Sequence, residues 1–414
     1  MNQHLRRGHE ALWRKFFDAR THLFYDTAFH EPDDLPTASE VAASFPSAGS
    51  WGTGMEDCAL TGGFVLDAMV AAHRVTGQKQ WATKARRIFR GLETLGTMSG
   101  TCGYVARGYA PGRKVVYPNS SADQVTSFVF GLWSFAKSGI ATAAERRTAT
   151  QLVVDVAARS ESFRGDVPRV DGKPSIYGDT SAIRPDRACR ILEFYQAAWD
   201  LSRDRHWRKK YLEMVEDRGR RRLRSHYGPE VWDLKSNVHA VIQSQAAFRL
   251  LYDTETDPRI RAAYRQALRA EALSVIGRVA LWREKLAQPD RSALPPNWRP
   301  RFQAFRREHP NYDPAKQEDV KKWHFYWQDA QRSESEPAPA LQARALPAIP
   351  SLRHPVESLA VVMLSDEPDL KQQVAQDAWA MLTEVDWSLV AQANVFEALD
   401  QAYWRGVEAG VFPK

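Results

Sequence analysis

Residues 55–95 read MEDCALTGGFVLDAMVAAHRVTGQKQWATKARRIFRGLETL, and this stretch decides the fold. In its first half Leu60, Phe64, Val65, Ala68, Met69 and Ala72 recur at three- and four-residue steps, the period of a helix with an apolar face. Gly77 stops that helix, and after Trp81 the residues Ala85, Ile88, Phe89 and Leu92 resume the same period. The spacing predicts a helical hairpin.

The same unit returns along the chain. It is read in residues 128–136 and 143–158 around Gly139, and in 189–201 and 207 onward around Arg203 and Asp204. It is read again in 238–252 and 260–282, and in 356–364 and 370–382. The breaks fall near residues 77, 139, 204, 255 and 366, so the steps are about 62, 65, 51 and 111, the last about twice 55. No strand-like alternation of comparable strength separates the copies. With a helix over 9–29 and another over 394–407, six or seven hairpins fit one all-α domain spanning 1–414. Solenoids with short loops repeat every 34 to 47 residues or so. These units are longer, and the excess lies in Gly-, Pro- and Asn-rich connections. A closed α/α toroid is therefore expected, with 46–54, 100–121, 164–185 and 290–314 lining one rim, where functional residues concentrate. Residues 333–350, rich in Glu, Ala and Pro, read as a surface excursion between hairpins.

Composition narrows the function. Apolar residues are 43% and charged residues 26%, the balance of a folded protein. The 23 Gly and 23 Pro exclude collagen-like and linker-like chains, and no run of 18 apolar residues is present to cross a membrane. Lys and Arg number 57 against 50 Asp and Glu, so the net charge of +7 favours anionic partners in a salt-dependent way. The basic residues are spread along the chain without a recognised module, so neither nucleic acid nor a membrane is the expected partner. Cys58, Cys102 and Cys189 are too few and too scattered for a disulfide framework or a zinc site, and read as core thiols, a single Cys58–Cys102 bridge being the other reading. Residues 1–7 are basic but run into Glu10 and Arg14 with no apolar stretch, so no secretory signal is read there. Oligomeric state is not legible.

No diagnostic motif of nucleotide, zinc-protease or serine-hydrolase chemistry occurs, so the candidate chemistry rests on constellations. The first is Trp51-Gly52-Thr53-Gly54-Met55-Glu56-Asp57, a loop entering a helix. Its acids suit either the helix macrodipole or a sugar-binding site with Trp51. The second is Tyr117-Pro118-Asn119-Ser120-Ser121-Ala122-Asp123-Gln124 before an apolar helix. Ser120 or Ser121 is a candidate cap and Asp123 satisfies early amides, or Asp123 and Gln124 open into a cavity. In the third, Asn237, His239 and Gln243 lie around the start of an apolar helix, with Asp233 near, and His239 is either a satisfied core residue or a base. The fourth is basic and aromatic: Trp298, Arg299, Arg301, Arg306, Arg307, Tyr312 and then Trp323 to Trp327. It suits a solvated face over a Trp-rich core, or a groove where Arg neutralises carboxylates and rings stack on sugars.

In organisation the chain resembles the carbohydrate-active enzymes built as closed α/α toroids. These are the polysaccharide lyases of the alginate, glucuronan and heparin-degrading groups, and the uronic-acid hydrolases of the unsaturated glucuronyl and β-glucuronidase groups. In such lyases an Asn beside a His near the start of an inner helix neutralises the uronate and takes the C5 proton. Asn237 and His239 are similar, although Val238 separates them. A Tyr preceded by an Arg serves as acid there, and Arg306 with Tyr312 is similar in spacing. The resemblance implies β-elimination on an anionic polysaccharide. Arg306 and Asn237 would hold the carboxylate, His239 would remove the proton, and Tyr312 would protonate the leaving oxygen. Trp51, Glu56, Asn119, Asp123, Gln124, Arg107 and Trp298 would line the substrate. The alternative it implies is a glycoside hydrolase using Asp123 with Glu56 or Asp57. A non-catalytic helical scaffold for acidic partners is a third class. No cofactor or metal is expected, and the resemblance implies a periplasmic or secreted protein.

Overall fold

The computed structural model describes residues 2–26, 34–112, 114–225, 238–287, 298–332, 352–390 and 393–414. Helix accounts for 68% of it and strand for 2%, so the chain is all-α. The first hairpin comprises α3 (Cys58–Thr76) and α4 (Lys79–Thr97). Every residue of α3 from Cys58 to Ala72 is buried, whereas α4 buries one face through Trp81, Ala85, Ile88, Phe89, Leu92 and Leu95. Gly77 closes α3 at φ +67°, a left-handed position that favours glycine.

That contrast between a wholly buried helix and an amphipathic one repeats. The buried members are α5 (Ala122–Lys137), α7 (Arg190–Ser202), α9 (Val238–Thr254), α14 (Arg353–Leu364) and α16 (Ala393–Glu408). Each of the first four is followed by a helix with a polar face: α6 (Ala143–Ser162), α8 (Arg205–Arg224), α10 (Pro258–Val275) and α15 (Pro368–Glu384). Helix α1 (Gln3–Lys15) packs on α15 and α16. The buried helices pack in order, α3 on α5, α5 on α7, α7 on α9, α9 on α14, α14 on α16 and α16 on α3. Their first turns meet one another, as Gln124 with Asp57 and His239 with Arg353. Further along, Ser134 near the end of α5 meets Asp67 midway along α3, and Trp133 meets Asp200 near the end of α7, so the buried helices run parallel.

Backbones touch where α3 crosses α5. A Cβ on Gly63 would stand 2.0 Å from the Ser127 carbonyl oxygen, and one on Gly131 would stand 2.5 Å from that of Gly63. Gly63→Ala is therefore expected to cost about 3 kcal/mol, the penalty of overpacking a dense core. Thermal unfolding checks this against Gly139→Ala, where an added Cβ meets nothing within 4 Å.

Several expectations need correction. The first helix ends at Lys15 rather than running on, because the Asp18 carboxylate accepts the amides of Arg20 and Thr21 and turns the chain back. The turn pairs β1 (Phe17–Asp18) with β2 (Leu23–Phe24). A short α2 (Ala38–Ala42) carries a Thr37–Glu40 capping box. After α10 the chain continues as a 3-10 turn, Ile276–Leu281, and α11 (Trp282–Leu286). Helices α12 (Arg299–Glu308) and α13 (Gln317–Arg332) do not form a seventh hairpin of the set. Their Phe302, Phe305, Val320, Trp323 and Trp327 instead build a second apolar cluster with Trp51, Ile176 and Tyr312. The three cysteines are free, Cys102 exposed and the other two buried, so no Cys58–Cys102 bridge forms. By length and hydropathy α3 alone among the described helices matches a membrane span, and 83% of that apolar window is buried against protein.

Candidate active site

Two acids at helix starts do not cap their helices. Asp57 precedes α3 and Asp123 lies in the first turn of α5, yet neither Asp57 nor the α5 cap residue Ser121 makes a side-chain cap hydrogen bond. Asp57 Oδ1 instead accepts from Gln124 Nε2 at 2.7 Å and Arg107 Nη2 at 3.3 Å. Ser121 is taken by the same guanidinium, whose Nη1 donates to its Oγ at 3.1 Å. Gln124 is locked in turn, its Oε1 accepting the Leu60 amide at 3.1 Å. Asp123 Oδ1 accepts from Arg190 at 2.6 Å and Arg187 at 3.2 Å. The side chains of Asp57 and Asp123 keep 23% and 26% of their surface open, so both carboxylates are reachable from solvent.

The neighbouring first turns complete a charged mouth. Arg190 is wholly buried and its Nη1 also donates to Gln243 Oε1 at 3.0 Å. Gln243 Nε2 lies 3.0 Å from His239 Nε2, while Arg353 Nη2 lies 2.8 Å from His239 Nδ1. The buried Glu357 accepts from Arg353 Nε at 2.9 Å. Beside α3 the buried Glu397 of α16 is within electrostatic reach of Asp57, Arg353 and Glu357. Parallel helices thus bring six first turns, each with donors unsatisfied by its own helix, to one end of the molecule.

The acids of this mouth differ in proton affinity. Burial raises Asp123, but Arg190 and Arg187 outweigh it and hold the carboxyl well below its ordinary range. Burial likewise raises Glu357, and Arg353 and His239 bring it down to about 2. Asp26, Glu56 and Asp57 crowd together, the Asp57 amide donating to Asp26 Oδ2 at 3.1 Å. Burial and then the Asp57 charge push Glu56 up to about 8, and the same two causes lift Asp26 well above its usual range. A carboxylate held ionised beside a group of carboxyls that retain a proton is the electrostatic division that acid–base chemistry uses.

The predicted residues fall into two places. Asp123, Gln124, Arg107, Glu56 and His239 lie around this mouth, although Glu56 also accepts the Gly52 and Thr53 amides and so shapes its own loop. Tyr312 does not join them: its hydroxyl donates to the Pro46 carbonyl at 2.6 Å within the second cluster. Arg306 donates to the Tyr312 carbonyl at 2.7 Å, so the pair braces a turn and the spacing reflected packing. Trp298 is 2% exposed and Trp51 6%, too enclosed to offer a face to a sugar. Trp323 is fully buried. Asn119 is a buried clamp, accepting the Ile176 amide at 2.9 Å and donating to the Ser120 carbonyl. Asn237 and Asp233 lie outside the described residues.

Arg187, Arg190, Arg353 and Glu357 belong to the mouth and escaped the sequence reading. Arg184, Arg187 and Arg190 stand at three-residue intervals before an apolar helix, a spacing that puts cations where carboxylates need partners. Arg353 was masked by its local pairing to Glu357 four residues on, the spacing of an ordinary helix ion pair. Among the described residues no group of three or more His, Cys, Asp or Glu side chains is arranged to hold a metal ion. No family model, curated protein or solved structure matches the chain.

Proposed function

We propose that this chain is a closed α/α toroid of six helical hairpins whose mouth hydrolyses a glycosidic bond next to a uronic-acid residue of an anionic polysaccharide. The sequential packing of six buried parallel helices, the last against the first, supports the architecture. The observation that carries the chemistry is the pair of partly open carboxylates, Asp57 and Asp123, released from capping and held on adjacent helices by Gln124, Arg107 and Arg190. In this reading the Asp57 and Glu56 side of the mouth supplies the proton to the departing oxygen, Glu56 being the member that burial and the Asp57 charge keep protonated. Asp123 acts opposite it as the ionised carboxylate, as base or nucleophile. Arg187 and Arg353, with Arg107 and Arg190, balance the uronate charge. Such a substrate is met outside the cytoplasm, which is where the protein is placed in this proposal.

Elimination is the second reading, favoured by one observation: His239 is partly open in the same mouth, with Gln243 and Arg353 fixing its ring. The discriminating assay incubates the protein with alginate, glucuronan, ulvan, heparinoid and xanthan-type polymers and follows absorbance near 235 nm and reducing ends together. Reducing ends without absorbance are expected; absorbance at 235 nm overturns hydrolysis in favour of β-elimination by His239.

A pH profile gives a further expectation. The proton on Glu56 is needed for leaving-group protonation, so kcat/KM should fall on the alkaline side with an apparent midpoint near 8, to which burial and the Asp57 charge push Glu56. In Glu56→Gln that proton is gone, and the alkaline limb near pH 8 should be lost. Stability follows the same sign. A carboxyl whose folded value exceeds its unfolded one binds protons more tightly when folded, so its contribution is complete below the unfolded value near 4.5 and declines as pH rises towards 8.

A further inference from the structure

Among the described residues of the rim loops Tyr177 is the one aromatic held in a left-handed backbone, at φ +62°, a conformation that bulky side chains avoid. Strain of this kind persists where the surroundings over-determine it. Here the Tyr177 carbonyl accepts the amide of Ala122, the first residue of α5, at 2.9 Å. Asn119 grips the preceding residue, Ile176, through its amide and carbonyl. The ring is thereby set beside the Asp123 turn, within electrostatic reach of Asp123, Arg107 and Arg187. From the other side, α13 supplies His324, whose Nδ1 lies 3.2 Å from the Tyr177 hydroxyl. His324 is stacked on Trp51 at 4.4 Å between centroids and 15° between planes. Tyr177 meets both rings edge-on.

We propose that Tyr177 is a substrate-contacting residue of the mouth, and that His324 positions it so that its hydroxyl oxygen accepts a hydrogen bond from a sugar hydroxyl bound beside Asp123. The inference rests on the reading of the mouth as a carbohydrate site. Its chemistry follows from the partner. Burial and then Arg107 push His324 down to about 4, so at neutral pH the imidazole is uncharged, and the proposal places its proton on Nε2 so that Nδ1 accepts from the phenol. With that proton committed, the oxygen turns lone pairs rather than a donor to the mouth. The arginines then take the carboxylate and Tyr177 reads a neighbouring hydroxyl, which makes a uronate carrying a free hydroxyl the preferred sugar and its deoxy analogue a poor one. Helices α12 and α13, which stand outside the hairpin set, gain a role as the brace of this contact.

The test is retention on an array of uronic-acid and neutral oligosaccharides, using Asp123→Asn as a non-turning-over background. Tyr177→Phe keeps the ring contacts and removes the oxygen; His324→Phe keeps the stack on Trp51 and removes the acceptor. His324→Asn offers an amide oxygen near the position of Nδ1. Both Phe variants should bind uronates at least tenfold more weakly with unchanged melting temperature, the pair together no worse than Tyr177→Phe alone, and His324→Asn should restore part of the loss. Undiminished uronate binding by Tyr177→Phe overturns the inference and leaves the reading of the mouth standing. Retention of neutral glycans alone, weakened by Tyr177→Phe, supports the contact and overturns the uronate reading. Retention of no glycan by any of these proteins overturns both.

Discussion

Asp123→Asn should lower turnover of a susceptible polymer about a thousandfold while the protein remains folded, the loss expected when a carboxylate that must be ionised is replaced by a neutral amide. The case rests on its environment. Arg190 is fully buried, Arg187 nearly so, and both direct a guanidinium nitrogen at the same Asp123 oxygen. These cations hold the carboxylate ionised through the working pH range, although burial acts against it. An amide oxygen still accepts from Arg190, so stability should fall by only about 2 kcal/mol, less than for an ion pair closed to solvent. The measurement is kcat beside a melting curve for Asp123→Asn and His239→Ala. Hydrolysis requires the first to be inactive and the second to retain most of its activity. Inactivity of His239→Ala, with Asp123→Asn still active, would sink the hydrolase reading.

The buried network beneath the mouth should show the largest stability effect. Asp67, wholly buried on α3, accepts from Ser134 Oγ of α5 at 2.7 Å and from Arg405 of α16 at 2.5 and 3.1 Å. Burial alone would lower the Arg405 proton affinity; Asp67 and then Glu408 raise it instead. Asp67→Ala removes the partner while Arg405 stays largely buried, and should cost about 3 kcal/mol because the remaining charge keeps only the weaker support of Glu408 and the more distant Asp253 among the described residues. Replacing both members, Asp67→Leu with Arg405→Met, should recover much of that loss, since two apolar side chains leave no charge to solvate. Urea unfolding separates these outcomes. An equal loss in the single and double variants would mean that the site fails through packing and not through an orphaned charge.

The two ends of the buried helices were unequally legible. The hairpins could be read because burial on all sides or on one face leaves a period in the apolar residues, as in α3 against α4. The first-turn acids could be noticed, but their role could not: Asp57 and Asp123 look like caps in sequence, and only the arrival of Arg107 and Arg190 from other segments diverts them from their own amides. Tyr312 shows the reverse error. An Arg and a Tyr six residues apart match a catalytic spacing, yet the phenol is consumed by the Pro46 carbonyl, some 266 residues away in sequence. The closeness of Tyr177 to His324 spans 147 residues and left no local trace.

By itself the sequence determined the helical class, the repeat and the acid-bearing turns before α3 and α5, because these depend on apolar period and on residues a few positions apart. Which polar groups stand free for chemistry was decided by tertiary structure alone. A carboxylate, amide or phenol has few hydrogen-bonding positions, and whether a neighbour in sequence or a distant helix fills them depends on how the parallel helices bring their first turns together.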